Sequence, residues 1–357
     1  MTASSLAPRD SDALASAARS AFPAARLDAI EMLAGDASSR RYARLRLSGD
    51  APATLIAMLL PRDTPPGASE EISALDAPTE LPFASLQRFL ARHDVPVPAL
   101  HFIGEEVLLL EDLGDQPLAD AASAPDRDGL FAEAVDLLAR IAALGREPDP
   151  SCVAFRQRYD RALIARELDV VCSHGFAPSD EGPARADDAD PDLAAALAKL
   201  GDRIAAQPVV LMHRDFHAWN LHVDAHRRVR VIDFQDAMLG PALYDLASLC
   251  TDRDSDRFVD PTLEEMLVRR FGDELARRGG PAYAGDAARL HADYFDAVAY
   301  RTLRVIGRFG FLAIEKGKPG YLRFLPRMAR QTRRALEANS DDGLLRVLAS
   351  RSALFGA

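Results

Sequence analysis

Lysine is almost missing from this chain. Of 43 basic residues only three are lysine, Lys199, Lys316 and Lys318, so any reaction needing a lysine amine has very few candidates. Cysteine is scarce too: Cys152, Cys172 and Cys250 stand apart with no paired spacing. That excludes a disulfide framework and fits inert thiols in a reducing cytoplasm. The longest apolar runs, "TLIAMLL" and "VLLL", fall far short of the roughly 20 residues of a membrane-spanning helix. The N-terminus "MTASSLAPRDSDALASAARS" lacks the basic start and apolar block of an export signal. A formal net charge of -11 sets nucleic acid and anionic membrane aside as main partners, because neither gathers near a negative surface. A cytoplasmic protein is expected, and a monomer.

What is present is a chain of 357 residues, 48% hydrophobic, long enough for two domains or lobes. A helix is expected at about residues 12–21, then strand-like runs "IEMLAG", "YARLRL" and "TLIAMLL". After a loop "PRDTPPGASEE", the stretch "PFASLQRFLARHDV" carries Phe83, Leu86, Phe89 and Leu90 at helical spacing, followed by the short runs "ALHFI" and "VLLLEDLG". Several strands around one helix predict a small α+β lobe. Beyond "EDLGDQPLAD" long alanine-rich helical patterns take over, such as "GLFAEAVDLLARIAAL", so the boundary is expected near residues 111–116. The acidic stretch "APSDEGPARADDADPD" reads as a mobile surface loop between two helices.

One island within the helical part reads differently. "PVVLM" ends a short strand, "HRDFHAWN" turns, "LHV" and "VRVIDF" predict a hairpin around "DAHRR", and "GPALYDLASL" starts a helix. His213 and His217 are four apart, as in an H-E-x-x-H zinc site, but no glutamate stands at 214 and the segment is a turn. No G-x-S-x-G elbow supports a serine nucleophile. A third pattern does fit: Asp215 precedes Asn220 by five residues, and Asn220 precedes Asp233 of "IDFQD" by thirteen. Phosphoryl transfer needs an acceptor for the substrate hydroxyl's proton and oxygen ligands that hold Mg²⁺ against ATP phosphates. Asp215 would be that base, with Asn220 and Asp233 as metal ligands, in the H-R-D-x-x-x-x-N and D-F spacing of the kinase signature.

At these residues the chain resembles the aminoglycoside phosphotransferase and choline kinase-like superfamily, through "HRDFHAWN" and "IDFQDAMLGPALYDLASL". Within it, "GDASSRRYARL", "ELPFASLQRFLARHDVPVPAL", "LLLEDLG" and "YRTLRVIGRFGFLAIEKGKPGYLRFLPRMAR" are similar to cell-wall recycling sugar kinases, which phosphorylate the anomeric hydroxyl of N-acetylmuramate and N-acetylglucosamine. The likeness spans roughly residues 27 to 338. It implies a bilobal, protein-kinase-like α+β fold. A small N-terminal nucleotide-binding lobe (1–110), with an antiparallel sheet plus helix, would be joined by a hinge (111–116) to a larger, mainly helical C-terminal lobe (117–357) holding the catalytic loop and sugar site. The cofactors implied are ATP and Mg²⁺, and the partner a small amino sugar. By the same likeness the turn "GDASSRR", with Ser38 and Ser39, covers the ATP phosphates, and backbone at Glu111 and Leu113 faces adenine. Small residues let backbone amides approach an anion.

The pattern breaks at strand "TLIAMLL", which offers Met58 where kinase-like folds carry a phosphate-gripping lysine; the following helix offers no acid as its partner. Joint loss avoids stranding one charge of a partly buried pair. Arg40 or Arg41 would then meet the triphosphate by forked hydrogen bonds, the alternative being decoration of a strand edge. His213 is expected to hold its loop, Trp219 to pack, and Tyr244 and Asp245 to brace the loop at a helix start. His217 could face sugar, metal shell or core. Asp252 could reach a substrate hydroxyl or end a solvated helix. Arg301, Arg304 and Arg308 share one helix face, and an N-acetylmuramate carboxylate would want such a cation; a solvated stripe is the alternative. Two other functions stay open: another small-molecule hydroxyl phosphotransferase, such as an aminoglycoside kinase, and a non-catalytic nucleotide-binding scaffold.

Overall fold

The computed structural model describes residues 7–33, 41–60, 80–121, 125–176, 191–281, 283 and 285–356. The expected phosphate-covering turn with Ser38, Ser39 and Arg40, the loop "PRDTPPGASEE" and residues 177–190 of the acidic stretch lie outside these. The chain divides into two compact units: residues 1–116 with 151–153 and 222–236, and 117–150 with 154–221 and 237–357.

The first unit opens with helix α1 (Pro8–Ala21), started by a proline at its first turn, where the missing N–H has no partner to lose. Strands β1 (Arg26–Met32), β2 (Arg41–Ser48) and β3 (Thr54–Leu59) follow, then helix α2 (Pro82–Arg92) and strands β4 (Leu100–Ile103) and β5 (Val107–Glu111). They form one antiparallel sheet in the order β1-β2-β3-β5-β4. Strand alternation sorts its two faces. Ala43, Leu45 and Leu47 of β2, Leu55, Ala57 and Leu59 of β3, and Val107 and Leu109 of β5 pack on Leu14, Ala17 and Ala18 of α1. Arg44 pairs in register with Ile56 and Tyr42 with Met58, so these point to the other face. Met58 is 1% exposed there, opposite Leu108 of β5.

The chain then enters the second unit with α3 (Leu118–Ala121), α4 (Arg127–Ala143), α5 (Arg161–His174), α6 (Pro191–Ala205) and β6 (Val209–Met212). The hairpin of β7 (Leu221–Val223) and β8 (Val229–Val231) returns it to the first unit. Strand β9 (Met238–Pro241) pairs antiparallel with β6, and α7 (Tyr244–Thr251), α8 (Pro261–Arg277), α9 (Ala287–Ile314), α10 (Leu325–Ala338) and α11 (Asp342–Arg351) complete the second unit.

The expected small sheet with helix and the larger helical part are both present. Acidic caps start several helices: Asp160 accepts the N–H of Leu163 on α5, and Asp260 those of Thr262 and Leu263 on α8. Helix α9, 28 residues long, packs on α5, α7 and α10. Gly307 permits the α5 contact, because a Cβ there would come within 2.9 Å of the Val171 backbone nitrogen. That close approach sets the polar groups of α5 against those of α9. Cys152, Cys172 and Cys250 form no disulfide, and burial pushes the Cys250 thiol well up. No helix among the described residues is long and apolar enough to cross a membrane.

Candidate active site

Paired strands β6 and β9 anchor the 213–220 loop at its start. His213 holds the loop as expected, through its backbone: its N–H donates to Asp245 Oδ2 at 2.5 Å on the first turn of α7. Arg214 takes a positive φ of 77°, a conformation L-residues adopt rarely and which here turns the chain. The N–H of His217 donates to the carbonyl of Asp215 at 3.1 Å, the N–H of Asn220 to the carbonyl of His217 at 2.9 Å, and Asn220 Nδ2 to the Asp215 carbonyl at 3.0 Å. The loop is thus wound around the backbone of Asp215, fixing where its side chain emerges.

Two cations act on that side chain. Burial pushes the Asp215 carboxyl up, but Arg214, then Arg304, His217 and His213, outweigh it and hold it below the usual carboxylate range. Arg304 lies on α9 with Nε 2.7 Å from Glu167 Oε2 of α5, and Arg214 Nη2 lies 3.7 Å from Glu167 Oε1. Glu167 also accepts the hydroxyls of Tyr300, at 2.9 Å, and Tyr159. This node was not read from the sequence. The signal was there: Glu167 interrupts the apolar stripe Leu163, Ile164, Leu168 and Val171 of α5, and an acid on a buried stripe needs cations.

The three arginines spaced along α9 go to different partners. Arg301 is 4% exposed and donates through Nη2 to Asp252 Oδ1 at 3.1 Å; Arg304 goes to Glu167; Arg308 stacks over Phe311 at 5.5 Å. A solvated stripe is ruled out for Arg301, and a solvated helix end for Asp252, which is 6% exposed at the C-terminus of α7. Burial pushes Asp252 up and His217, Arg301 and Arg253 bring it below its ordinary value. Asp252 and Arg301 are therefore brought together, and His217 acts on Asp252 electrostatically. Trp219 packs half-buried and donates its indole N–H to Asp254 Oδ1 at 3.1 Å.

In the first unit, Asp233 follows β8 with a positive φ of 61° and accepts from Gln235 Nε2 at 2.7 Å, while Phe234 packs on Phe83 at 4.8 Å. Glu111 ends β5: its N–H donates to Ala99, and its carboxylate is forked by Arg230 at 2.8 and 3.1 Å. Leu113 is half-buried in the turn that Gly114 closes with φ 83°. Arg41 pairs with Asp10 of α1. The cation on the face of β3 that carries Met58 is one strand over: Arg44, on β2, reaches Asp112 and Asp115. Sequence reasoning passed it by.

No group of three or more His, Cys, Asp or Glu gathers as a metal cage among the described residues. Asp233 of the first unit offers carboxylate oxygens and Asn220 of the second an amide oxygen, each a hard donor of the kind magnesium takes.

The model of the phosphotransferase enzyme family matches residues 29–285, and the chain belongs to that family. An N-acetylmuramate/N-acetylglucosamine kinase of Pseudomonas putida is 33% identical over 270 residues, covering 73% of this chain and 76% of the relative. One of the same description from Caulobacter vibrioides is 30% identical over 322 residues, covering 84% and 85%. Among solved structures, an ADP-bound aminoglycoside phosphotransferase matches with a TM-score of 0.58 at 13% identity, covering 92% of this chain and 99% of that one. A choline kinase from Cryptosporidium parvum matches at 0.56 and 10%, covering 97% and 100%. These two share the fold.

Proposed function

We propose that the chain is an ATP-dependent kinase that phosphorylates the anomeric hydroxyl of N-acetylmuramate and N-acetylglucosamine in peptidoglycan recycling. The relatives from Pseudomonas and Caulobacter support the substrate, since most of each is matched at 33% and 30% identity. Asp215 carries the chemistry: a carboxyl kept ionised by Arg214 and Arg304 is an acceptor for the hydroxyl proton. Its loop backbone is pinned by Asn220 and His217, so it is presented in one place.

Asn220 and Asp233 hold magnesium in this reading; when bound, the ion neutralises charge on the ATP phosphates. Asn220 bonds its own loop through Nδ2, and Oδ1 is the atom that meets the cation. Ser38, Ser39 and Arg40 cover the phosphates, Arg41 being turned to Asp10 of α1, and Glu111 and Leu113 meet adenine by backbone. His217, Asp252, Arg301 and Arg304 lie on the sugar side.

The test is incubation with ATP, Mg²⁺ and a panel of amino sugars, aminoglycosides and choline, with ³¹P NMR of the product. A sugar 1-phosphate is expected; phosphorylation of aminoglycosides or choline alone removes the reading. Asp215→Asn should lower kcat by about 10³-fold while ATP still binds, because the proton acceptor is lost and the metal ligands are not. Full activity in that variant rejects the role.

A further inference from the structure

Arg301 and Asp252 are more buried than a surface pair and less satisfied than a structural one. Their single mutual hydrogen bond, Nη2 to Oδ1 at 3.1 Å, uses one nitrogen of the guanidinium and one oxygen of the carboxylate. Nε and Nη1 of Arg301 and Oδ2 of Asp252 are buried with no hydrogen-bond partner among the described residues, and so is Nδ1 of His217. Arg253 Nε stands 3.8 Å from Oδ2, beyond hydrogen-bonding reach. A buried donor without a protein partner carries its full desolvation penalty, which a bound oxygen would remove.

The pair is also braced. Arg327 of α10 donates through Nη1 to the backbone carbonyl of Asp252 and through Nη2 to Ser255 Oγ at 2.9 Å, and its Nε lies 3.0 Å from Asp256 Oδ1. The end of α7 is tied down at the residue that presents the carboxylate. Trp219 of the 213–220 loop donates its indole N–H to Asp254, two residues beyond Asp252, at 3.1 Å, which puts the pair beside the loop carrying the proposed base.

From this we infer that Arg301 and Asp252 form one neutral clamp for adjacent uncharged oxygens of the acceptor sugar. The inference deepens the proposed amino-sugar reading and rests on it for the identity of the ligand. The guanidinium N–H groups donate to oxygen lone pairs, and Asp252 Oδ2 accepts an O–H; a hydroxyl next to a second hydroxyl or an acetamido carbonyl offers both. Asp252 opposes the positive charge of Arg301 at 3.1 Å, closer than that of Arg253 at 3.8 Å, so the clamp does not select a carboxylate. It reads what the two amino sugars share, and N-acetylmuramate's lactyl group is read elsewhere or not at all.

The test uses Arg301→Met, Asp252→Asn and the double variant Asp252→Leu/Arg301→Met, with kcat and KM measured for ATP and each sugar, and a melting curve for each protein. Arg301→Met should lower kcat/KM for both sugars about tenfold or more and to the same extent, with KM for ATP within twofold. Asp252→Asn should unmask the guanidinium charge and raise the preference for N-acetylmuramate over N-acetylglucosamine about fivefold. The double variant, with no charge left to strand, covers the case in which a single variant fails to fold. Loss of N-acetylmuramate turnover alone in Arg301→Met would make the arginine a carboxylate receptor and overturn the clamp. Unchanged sugar parameters in a folded variant would leave it a structural pair and remove the clamp as well. If the wild-type chain phosphorylates neither sugar, the amino-sugar reading fails by itself. The same variants are then measured on whichever hydroxyl compound of the panel is phosphorylated: a tenfold loss at unchanged ATP KM keeps the clamp, and no loss removes it. A chain with no acceptor at all overturns both.

Discussion

Arg44 in the first unit and Arg301 in the second are buried to a similar degree, 9% and 4% exposed, yet they are held in opposite ways. Arg44 spends every nitrogen: Nε and Nη2 reach Asp112 at 2.7 and 3.1 Å, and Nη1 and Nη2 reach Asp115 at 2.9 and 2.6 Å. The two carboxylates raise its pKa further, and it holds the Asp115 carboxyl below the usual range. Arg301 spends one nitrogen. Burial alone therefore does not say what an arginine is for. A satisfied guanidinium closes architecture, here tying the turn after β5 back to β2. One left with idle donors keeps hydrogen-bonding capacity that a ligand can take up.

Asp245 gives the largest expected effect on that distinction, because it is the half-satisfied acid of the second unit. One of its oxygens accepts the His213 N–H, and Oδ1 is buried without a partner. Burial pushes its pKa up to about 7, against the pull of the His213 N–H. Unfolded, it titrates near about 3.9, so between roughly pH 4 and 7 the folded state keeps a proton that the unfolded state has lost. Stability from this group is complete below that window and falls as pH rises through it, by about 4 kcal/mol at the quoted shift. Asp215 and Asp252, both lowered, act with the opposite sign and lose their contribution in acid. Asp245→Asn should match wild type near pH 4 and exceed it at pH 8 in urea unfolding. A variant less stable than wild type at pH 8 would show the charge to be fully compensated, and half-satisfaction would lose its meaning.

Arg44→Leu comes next. It strands the Asp112 carboxylate nearly buried, 6% exposed, and Asp115 almost in water, so the loss should be about 3 kcal/mol, the lower end of the range for a buried pair. Sugar KM should stay within twofold. If Arg301→Met instead costs more stability than Arg44→Leu and leaves sugar kinetics alone, the assignments of the two arginines exchange places.

Nothing in "YARLRL" separates Arg44 from Arg46, which stays over half exposed with Glu31 at 3.6 Å. Alternation places both on the same face, and only the return of residues 112–115 to the sheet, far along the chain, decides which is buried. Local signals did better. Apolar spacing gave α2 and α4, and the runs flanking "DAHRR" gave the β7–β8 hairpin. Strand β9 was missed because "MLGP" is four residues long and ends in glycine and proline, which argue against a strand unless a partner such as β6 is already in place. Asp215 and Asn220 were legible from their spacing because the loop is a local winding. The Glu167 node was not, since it depends on the approach of α5 to α9 across 137 positions, a closeness that Gly307 permits but does not announce.

Trp219 gives the smallest and most discriminating effect. Its indole N–H goes to Asp254, and Asp254 keeps Arg257 Nη1 at 3.2 Å if that donor is removed. By the logic that separates the two arginines, a polar group satisfied inside the protein belongs to structure even when it sits two residues from His217. Trp219→Phe should then cost about 1 kcal/mol, the ordinary net worth of one hydrogen bond, and leave kcat/KM for every acceptor within twofold. A fivefold rise in sugar KM at unchanged stability would mean that the ring itself meets the acceptor. Internal satisfaction would then fail as a guide to function in the very loop that carries the proposed base.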